Sequence, residues 1–276
     1  MQPDDLFFLA EFLKRRSGLH LTADKFRLVD SRLARVAHRF GFHSLDALLA
    51  ELRHEPDGLA RAVSEAMTTN ETSFFRDKPT FDHVRKSVLP PLLASRARTR
   101  RLRIWCAATA TGQEAYSLAM LLDSERHALE GWHVELVATD ISSEMIARAE
   151  QGLYSQYEIH RGLPMEMLLG YFAQEGEQWR IAERLRWMVT FRTFNLLDSF
   201  EGLGTFDLIF CRNVLLYFDH DTKSATLDKL GRVLCADGHL VLGCTESTAA
   251  SSTIFVPVRA ARGCYAKTRA PALIAI

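Results

Sequence analysis

Long apolar runs are missing from this sequence of 276 residues, and so is any secretory signal. No run approaches the ~18 apolar residues that a membrane-spanning helix needs. Residues 1–5 are acidic and lack the basic start and the apolar core of a signal peptide. We therefore expect a cytoplasmic protein with no segment inserted in a membrane.

Cysteine is scarce, and its pattern excludes two classes of site. The five cysteines are odd in number and widely spaced, and no two form a C-x-x-C pair. This spacing fits neither a disulfide framework nor a zinc site. We predict buried free thiols and no metal. The cysteines are Cys106, Cys211, Cys235, Cys244 and Cys264.

A net charge is also absent, but the two signs are unevenly distributed. Residues 1–101 hold 18 basic and 13 acidic side chains, whereas the remainder holds 16 and 21. A basic N-terminal part favours a partner with an acidic surface. The neutral charge of the whole chain argues against nucleic-acid binding.

Hydrophobic spacing divides the chain into two parts. Through residues 6–67, apolar side chains recur every three or four positions, which predicts helices, and Ser44 is a candidate N-cap. We assign residues 1–90 to an N-terminal helical domain. Residues 91–101 follow Pro90 and are rich in arginine, so we expect them to form a linker.

From residue 102 to residue 276, apolar strands alternate with helical segments, which indicates an open parallel α/β sheet. Residues 151–188 interrupt the alternation and predict a small β-rich insertion, with strands at 179–181 and 185–188. We expect a terminal hairpin, formed by 253–258 and 263–267, to extend the edge of the sheet. The other predicted strands are 102–107, 134–139, 189–195, 206–211 and 239–244.

Ligands bind at the carboxyl ends of the strands in such sheets. The first strand ends in small residues, Ala107–Gly112, which let a ligand approach the backbone at the start of the next helix. The loop is not a G-x-G-x-x-G fingerprint, so a dinucleotide is poorly supported. A tight turn without any ligand has the same pattern.

Polar side chains follow the other strands as well. Asp140 ends the second strand, where it can accept hydrogen bonds from both ribose hydroxyls or cap the next helix. Asn195 follows the third strand, where an amide can bind the edge of an adenine. Arg212 and Asn213 follow the fourth. The polar segment 68–77, ahead of the sheet, is otherwise explained as a helix cap.

Together these segments resemble the chemotaxis receptor methyltransferase (CheR) family over nearly the whole chain. The family motif Asn-x-Thr-x-Phe-Phe-Arg is present as Asn70–Arg76, and its strand-one loop as Gly112–Ser117. Its Asp-Ile/Leu-Ser is Asp140–Ser142. Its most specific run, Phe-Asp-x-Ile-Phe-Cys-Arg-Asn-Val-Leu-x-Tyr-Phe, is nearly intact at Phe206–Phe218. Ala115 departs from the family, which usually has proline there.

The resemblance implies a Rossmann-like class I methyltransferase sheet, an N-terminal all-helical domain, a small β-subdomain insertion and S-adenosylmethionine as methyl donor. Asn70, Thr72 and Arg76 would then line the methionine end of the cofactor, and Asp140 would hold the ribose. Arg76 and Tyr217 would position the incoming carboxylate. The further cofactor-binding residues implied by the motifs are Ala107, Glu114, Ile141, Asn195, Leu196, Asn213 and Val214.

The implied reaction is the esterification of glutamate side chains on chemoreceptors, and S-adenosylhomocysteine is the other product. The candidate docking surface is a basic strip on the helix 23–40, beside an apolar face that runs from Phe26 to Phe40. We expect a monomer recruited to chemoreceptor arrays. A cofactor-binding regulatory module, or a methyltransferase for another protein, is the alternative. The strip comprises Lys25, Arg32, Arg35 and Arg39.

Overall fold

The N-terminal part of the protein is a bundle of four helices. A computed structural model describes residues 2–22, 26–259 and 261–268. The helices are α1 (Pro3–Ser17), α2 (Phe26–Arg39), α3 (Leu45–Leu52) and α4 (Asp57–Met67). Their apolar faces meet in one core. The Ser44 hydroxyl accepts a hydrogen bond from the backbone N–H of Ala47, which confirms the predicted N-cap.

The predicted linker 91–101 is largely helical, and this corrects the sequence analysis. Helix α5 (Lys78–His83) continues through one π-helical turn, Val84–Val88, into α6 (Leu89–Arg96). Pro90 and Pro91 directly follow the π-helical turn, and each lacks the N–H that would continue the helical hydrogen bonds. Leu89 and Leu92 are buried, so apolar packing fixes this segment against the rest of the molecule.

The second part is a seven-stranded sheet, in the order β6-β2-β1-β7-β8-β10-β9. The first five strands in that order are parallel, and the last two form the antiparallel hairpin predicted at the edge. Helices α7 (Gln113–Ser124), α8 (Ser143–Gln151) and α12 (His220–Val233) connect them. The strands are β1 (Arg101–Ala107), β2 (His133–Asp140), β6 (Val189–Thr193), β7 (Phe206–Cys211), β8 (Leu234–Val241), β9 (Phe255–Pro257) and β10 (Cys264–Lys267).

The insertion between α8 and β6 carries a separate three-stranded antiparallel sheet. Its strands are β3 (Leu153–Ser155), β4 (Phe172–Glu175) and β5 (Gln178–Ile181), in the order β3-β5-β4. Short helices α9 (Gln156–His160) and α10 (Met165–Tyr171) lie between β3 and β4.

The strand predicted at 185–188 is wrong, because those residues fall in and just after helix α11 (Glu183–Trp187). Alternation would bury Leu185 and Trp187 on one face. Instead Leu185 is fully buried, while Trp187 is 80% exposed.

The strand order reverses at the centre of the large sheet, between β1 and β7. The chain leaves β1 towards β2 on one side and leaves β7 towards β8 on the other. The loops after these two strands therefore diverge and leave a crevice at the carboxyl ends. None of the helices in the described ranges is both long and apolar enough to cross a membrane.

Candidate functional site

A cavity opens at this crevice, where open α/β sheets bind their ligands. Its walls come from the loops after β1, β2, β6 and β7, from residues 68–76, and from Ser17 and Leu19 of the helical part. Both parts of the chain therefore enclose it. The predicted site residues that line it are Asn70, Thr72, Arg76, Glu114, Asp140, Ile141, Asn195, Leu196, Asn213, Val214 and Tyr217.

Ala107 is the predicted site residue that does not line the cavity. It ends β1, is fully buried, and packs in the core on one face of the sheet. Ala108 and Ala110, with positive φ angles of 59° and 49°, reach the cavity instead. The loop turns immediately after the strand, so the contact falls one residue later than the motif suggested.

The Asp140 carboxylate lies at the floor of the cavity and is 5% exposed. Oδ2 accepts a hydrogen bond from Ala110 N (2.8 Å) and Oδ1 accepts one from Ser142 N (2.9 Å). Ser142, not Asp140, caps α8, because its hydroxyl accepts from Met145 N. Burial raises the pKa of Asp140 above its usual 3.8, against the backbone N–H groups of Ser142, Ala110 and Ile141, which lower it. The carboxylate has four lone-pair sites, so it can still accept from a ligand hydroxyl.

The side chain of Asn195 is already engaged at both ends. Its Nδ2 donates to the carbonyl of Arg16 (2.7 Å), and its Oδ1 accepts from Leu197 N (3.0 Å). One N–H and one lone pair remain for an adenine edge. Apolar side chains flank this end of the cavity, among them Ile141, Phe194 and Leu196.

Thr68 and Asp77 occupy the C-cap of α4 and the N-cap of α5, and residues 69–73 between them are irregular chain. The buried Phe74 and Phe75 anchor this loop, and Phe75 N donates to the Ser117 hydroxyl (2.9 Å). Arg76 lines the cavity, and its Nη1 donates to the carbonyl of Glu71 (2.9 Å). This bond orients the guanidinium and leaves its other N–H groups for a ligand.

Arg212 joins three walls of the cavity, and the sequence analysis gave it no role. Its side chain is fully buried and donates to Glu114 Oε2 (2.8 Å), Asp77 Oδ2 (2.6 Å) and the carbonyl of Arg76 (3.0 Å). Burial opposes the charge, but Glu114 and Asp77 raise the pKa of Arg212 above its usual value. Cys106 Sγ donates to the other oxygen of Glu114. The sequence feature that could have identified Arg212 is its position directly after an apolar strand.

Glu246 is the second residue missed. It is 6% exposed, and its carboxylate accepts four backbone N–H groups, three of them from the loop after β7. The donors are Asn213, Val214, Leu216 and Gly243. No sequence pattern indicated it, because a lone glutamate in a polar stretch resembles solvated chain.

The N-terminal bundle contacts the same loop. The backbone N–H of His20 donates to the carbonyl of Tyr217 (2.7 Å), and Leu19 pairs with Phe218 in a β-bridge. Lys14 and Asp219 form an ion pair at 2.6 Å, which lowers the pKa of Asp219. The Tyr217 ring packs against the core of the bundle.

The predicted basic strip is only partly a surface. Arg35 and Arg39 are exposed on α2. Arg32 instead turns inward, and its guanidinium donates to the carbonyls of Met67 (2.6 Å) and Thr68 (2.9 Å) and to the Thr69 hydroxyl (3.2 Å). It holds the end of α4 and the start of the loop 68–77. Lys25 lies outside the described residues. Phe40 lies beyond the end of α2 and is 40% exposed, so the apolar face is shorter than predicted.

The cysteines are free thiols, as predicted. Cys106, Cys211 and Cys264 are buried, whereas Cys235 and Cys244 are half-buried. Burial raises the pKa of Cys106 well above its usual value, which keeps it protonated. Across the described ranges, no three His, Cys, Asp or Glu side chains converge as metal ligands would.

Family models and known proteins agree with this geometry. Residues 70–264 match the model of the CheR methyltransferase SAM-binding domain, and residues 4–68 match that of the CheR all-alpha domain. Chemotaxis protein methyltransferase 1 of Pseudomonas aeruginosa is 40% identical over 86% of this chain and 87% of its own length.

Two further relatives extend the similarity. Chemotaxis protein methyltransferase Cher2 of Pseudomonas putida is 39% identical over 86% of this chain and 87% of its own. Chemotaxis protein methyltransferase 1 of Vibrio cholerae is 36% identical over 94% of each chain. Because the two family models match residues 4–68 and 70–264, and these relatives are 36–40% identical, the chain belongs to the CheR family of S-adenosylmethionine-dependent methyltransferases.

Proposed function

We propose that this protein transfers the methyl group of S-adenosylmethionine to glutamate side chains of bacterial chemoreceptors, forming γ-glutamyl methyl esters in chemotactic adaptation. The observation that carries the proposal is the single cavity in which a buried carboxylate, Asp140, and a cation, Arg76, lie on the wall together. One suits the ribose of the cofactor, and the other suits the carboxylate to be methylated.

The residues of the cavity fit the cofactor. Asp140 has lone pairs for two ribose hydroxyls, and its raised pKa marks a buried charge that new donors would stabilise. Ile141, Phe194 and Leu196 offer apolar contacts to an adenine ring, beside the remaining amide hydrogen of Asn195. Asn70, Thr72, Glu114, Asn213 and Val214 would hold the remainder.

The bound cofactor supplies a methyl group on a positively charged sulfur. The glutamate carboxylate is ionised near pH 7, so the chain need not supply a general base. Arg76 and Tyr217 orient the carboxylate by donating hydrogen bonds, and the walls exclude water that would compete for it. The fixed guanidinium of Arg76 keeps this orientation without reorganisation during transfer.

The receptor side of the proposal rests on charge. Arg35 and Arg39 are exposed on α2, and the methylated regions of chemoreceptors are helices rich in glutamate. We propose that the cytoplasmic helical region of the receptor docks there, on a monomeric enzyme recruited to receptor arrays.

The test is transfer of radiolabelled methyl from S-adenosylmethionine to membranes that carry the chemoreceptors of the same bacterium, scored as methanol released by base. We expect label that base releases. At saturating S-adenosylmethionine, Arg76→Ala should lower kcat by about 10²-fold, because a preorganised charge at the reacting group is lost.

The matched control is Arg85→Ala, which removes another partly exposed arginine. Arg85 pairs with Glu125 and lies outside the cavity lining, so transfer should persist. Label that resists base would refute the ester. Cofactor binding without label on any receptor of that bacterium would favour a regulatory module or another protein substrate. Full turnover by Arg76→Ala would remove Arg76 from the mechanism.

A further inference from the structure

Glu246 has an environment that surface glutamates lack. Oε1 accepts hydrogen bonds from Val214 N (3.2 Å) and Leu216 N (3.1 Å), and Oε2 accepts from Asn213 N and Gly243 N, both at 2.7 Å. All four donors are backbone groups, so the carboxylate fixes the course of the chain and not a particular side chain.

A tight turn after β8 brings Glu246 to these four backbone N–H groups. The chain leaves β8, and Glu246 N donates to the carbonyl of Gly243 (2.9 Å), which closes a tight turn. A Cβ atom at Gly243 would lie 2.6 Å from Asn213 Nδ2 and 2.8 Å from Glu246 Oε2. The missing side chain of Gly243 therefore leaves room for the Asn213 amide and the Glu246 carboxylate.

The loop held by Glu246 begins with a left-handed residue. Asn213 has a φ of 58°, in a region that asparagine adopts more readily than most other non-glycine residues. Asn213, Val214 and Tyr217 of this loop line the cofactor cavity. Glu246 does not line it, so any effect on the cavity must pass through the loop.

We infer that Glu246 is a positioning residue for methyl transfer, which holds the Asn213–Tyr217 loop in the one conformation that completes the cofactor cavity. The inference rests on the cofactor cavity and not on the identity of the methylated side chain. Binding of S-adenosylhomocysteine, which needs no receptor, therefore tests it separately from the proposed function.

The first variant is Glu246→Gln, which keeps the shape of the side chain. In either orientation of the amide, one oxygen is replaced by an NH₂ group that faces two backbone N–H donors, so two of the four hydrogen bonds are lost. We expect the affinity for S-adenosylhomocysteine, measured by calorimetry well below the unfolding temperature, to fall at least tenfold. Glu246→Asp keeps both acceptor oxygens and should recover part of this loss.

The matched control is Asp207→Asn at the opposite end of β7. Asp207 is also buried and accepts a backbone N–H, that of Arg103 (2.8 Å), but it lies away from the cavity. We expect this variant to lower the unfolding temperature while its affinity for S-adenosylhomocysteine stays within twofold. This control separates loss of stability from loss of positioning.

A Glu246→Gln protein that melts earlier but binds S-adenosylhomocysteine and transfers methyl like the wild type would overturn the inference. If Glu246→Gln does not fold, Gly243→Ala takes its place, because its methyl group would press on both the Asn213 amide and the Glu246 carboxylate and so disturb their contact. Wild-type affinity in that variant would overturn the inference equally, and a loss of at least tenfold would support it.

Discussion

At the scale of single residues, the chemistry of the site depends on charges that the fold has removed from water. Asp140 is an example, because its carboxylate keeps only backbone donors and its pKa lies above 3.8. A ligand that donates hydrogen bonds to it stabilises the ionised form and lowers that pKa. Binding must then depend on pH.

We expect the affinity for S-adenosylhomocysteine to weaken as the pH falls through the raised pKa of Asp140, because the protonated group accepts fewer hydrogen bonds. Asp140→Asn should bind more weakly by about 1.5–3 kcal/mol near pH 7, the usual contribution of a hydrogen bond to a charged group. It should also lose the Asp140 part of the pH dependence. Calorimetric titration across the acid range measures both, and an unchanged pH profile would exclude Asp140 from the binding site.

Arg32 gives the second prediction at this scale. Because its guanidinium holds Met67, Thr68 and Thr69, Arg32→Ala should loosen the loop 68–77 and weaken S-adenosylhomocysteine binding without any receptor present. Loss of a charged donor to carbonyl groups is worth about 1.5–3 kcal/mol when the acceptors stay buried. Arg35→Ala should leave this affinity unchanged and act only on the receptor step. If both variants had the same affinity for S-adenosylhomocysteine, Arg32 would have to be assigned to the docking surface again.

Sequence patterns identified most of the site residues but not the residues that hold them. Asp140 was identified by its position after a predicted strand, whereas Arg76 was identified through the resemblance of Asn70–Arg76 to a family motif. Glu246 and the inward turn of Arg32 depend on contacts between residues that are 30 or more positions apart, such as Glu246 with Leu216 and Arg32 with Met67. No local pattern encodes such contacts.

At the scale of elements, the first turn of α7 bears on the one departure from the family motif. Ala115 is the third residue of α7 and is fully buried. An N–H at this position has no partner within the helix, so a proline there removes no helical hydrogen bond. Ala115→Pro would also restrict the unfolded chain.

We expect Ala115→Pro to stabilise the protein by about 0.4–1 kcal/mol and to raise the unfolding temperature by a few degrees. Ala119→Pro, one turn further along α7, should destabilise it by about 3 kcal/mol, because that proline breaks a helical hydrogen bond. Thermal unfolding followed by circular dichroism compares the two. A lower unfolding temperature for Ala115→Pro would show that the packing around residue 115 has no room for the proline ring.

Hydrophobic periodicity predicted the elements well where one face is buried. It failed where equally spaced apolar side chains have different environments. The helical character of residues 6–67 and four of the five parallel strands were predicted well, whereas β8 begins at Leu234, five residues before the predicted strand 239–244. Residues 185–188 were misread because two apolar side chains with the spacing of a strand have different environments, one in the core and one in solvent. Residues 91–96 were not predicted as a helix because prolines usually end one, whereas here they follow a π-helical turn.

At the scale of the whole molecule, the cofactor cavity lies between the bundle and the sheet. Ser17 and Leu19 come from the bundle, while Asn195 of the sheet part donates to Arg16 of α1. A ligand in this cavity contacts both parts, so it stabilises their association as well as each wall.

We expect S-adenosylhomocysteine to raise the unfolding temperature of both parts together. At 100 times its Kd a ligand adds about 2.7 kcal/mol to the stability of the state that binds it. All four tryptophans, the first of which is Trp105, follow residue 100, so fluorescence reports on the sheet part while circular dichroism reports on both. The two signals should coincide when ligand is present. The arrangement would be contradicted if circular dichroism showed helix unfolding at a lower temperature than the fluorescence change, and if the ligand did not alter that temperature.

Helix α2 exposes Arg35 and Arg39 on its outer side. On its inner side, Arg32 donates hydrogen bonds to the carbonyls of Met67 and Thr68, where the loop 68–77 begins. If the receptor docks on the outer side, as proposed, α2 would couple receptor binding to the loop 68–77. If a docked receptor tightens the hold of Arg32 on that loop and so raises cofactor affinity by some factor, the cofactor must raise receptor affinity by the same factor. The enzyme would then differ in receptor affinity before and after its cofactor is exchanged. This difference would set how many sites are modified in one encounter.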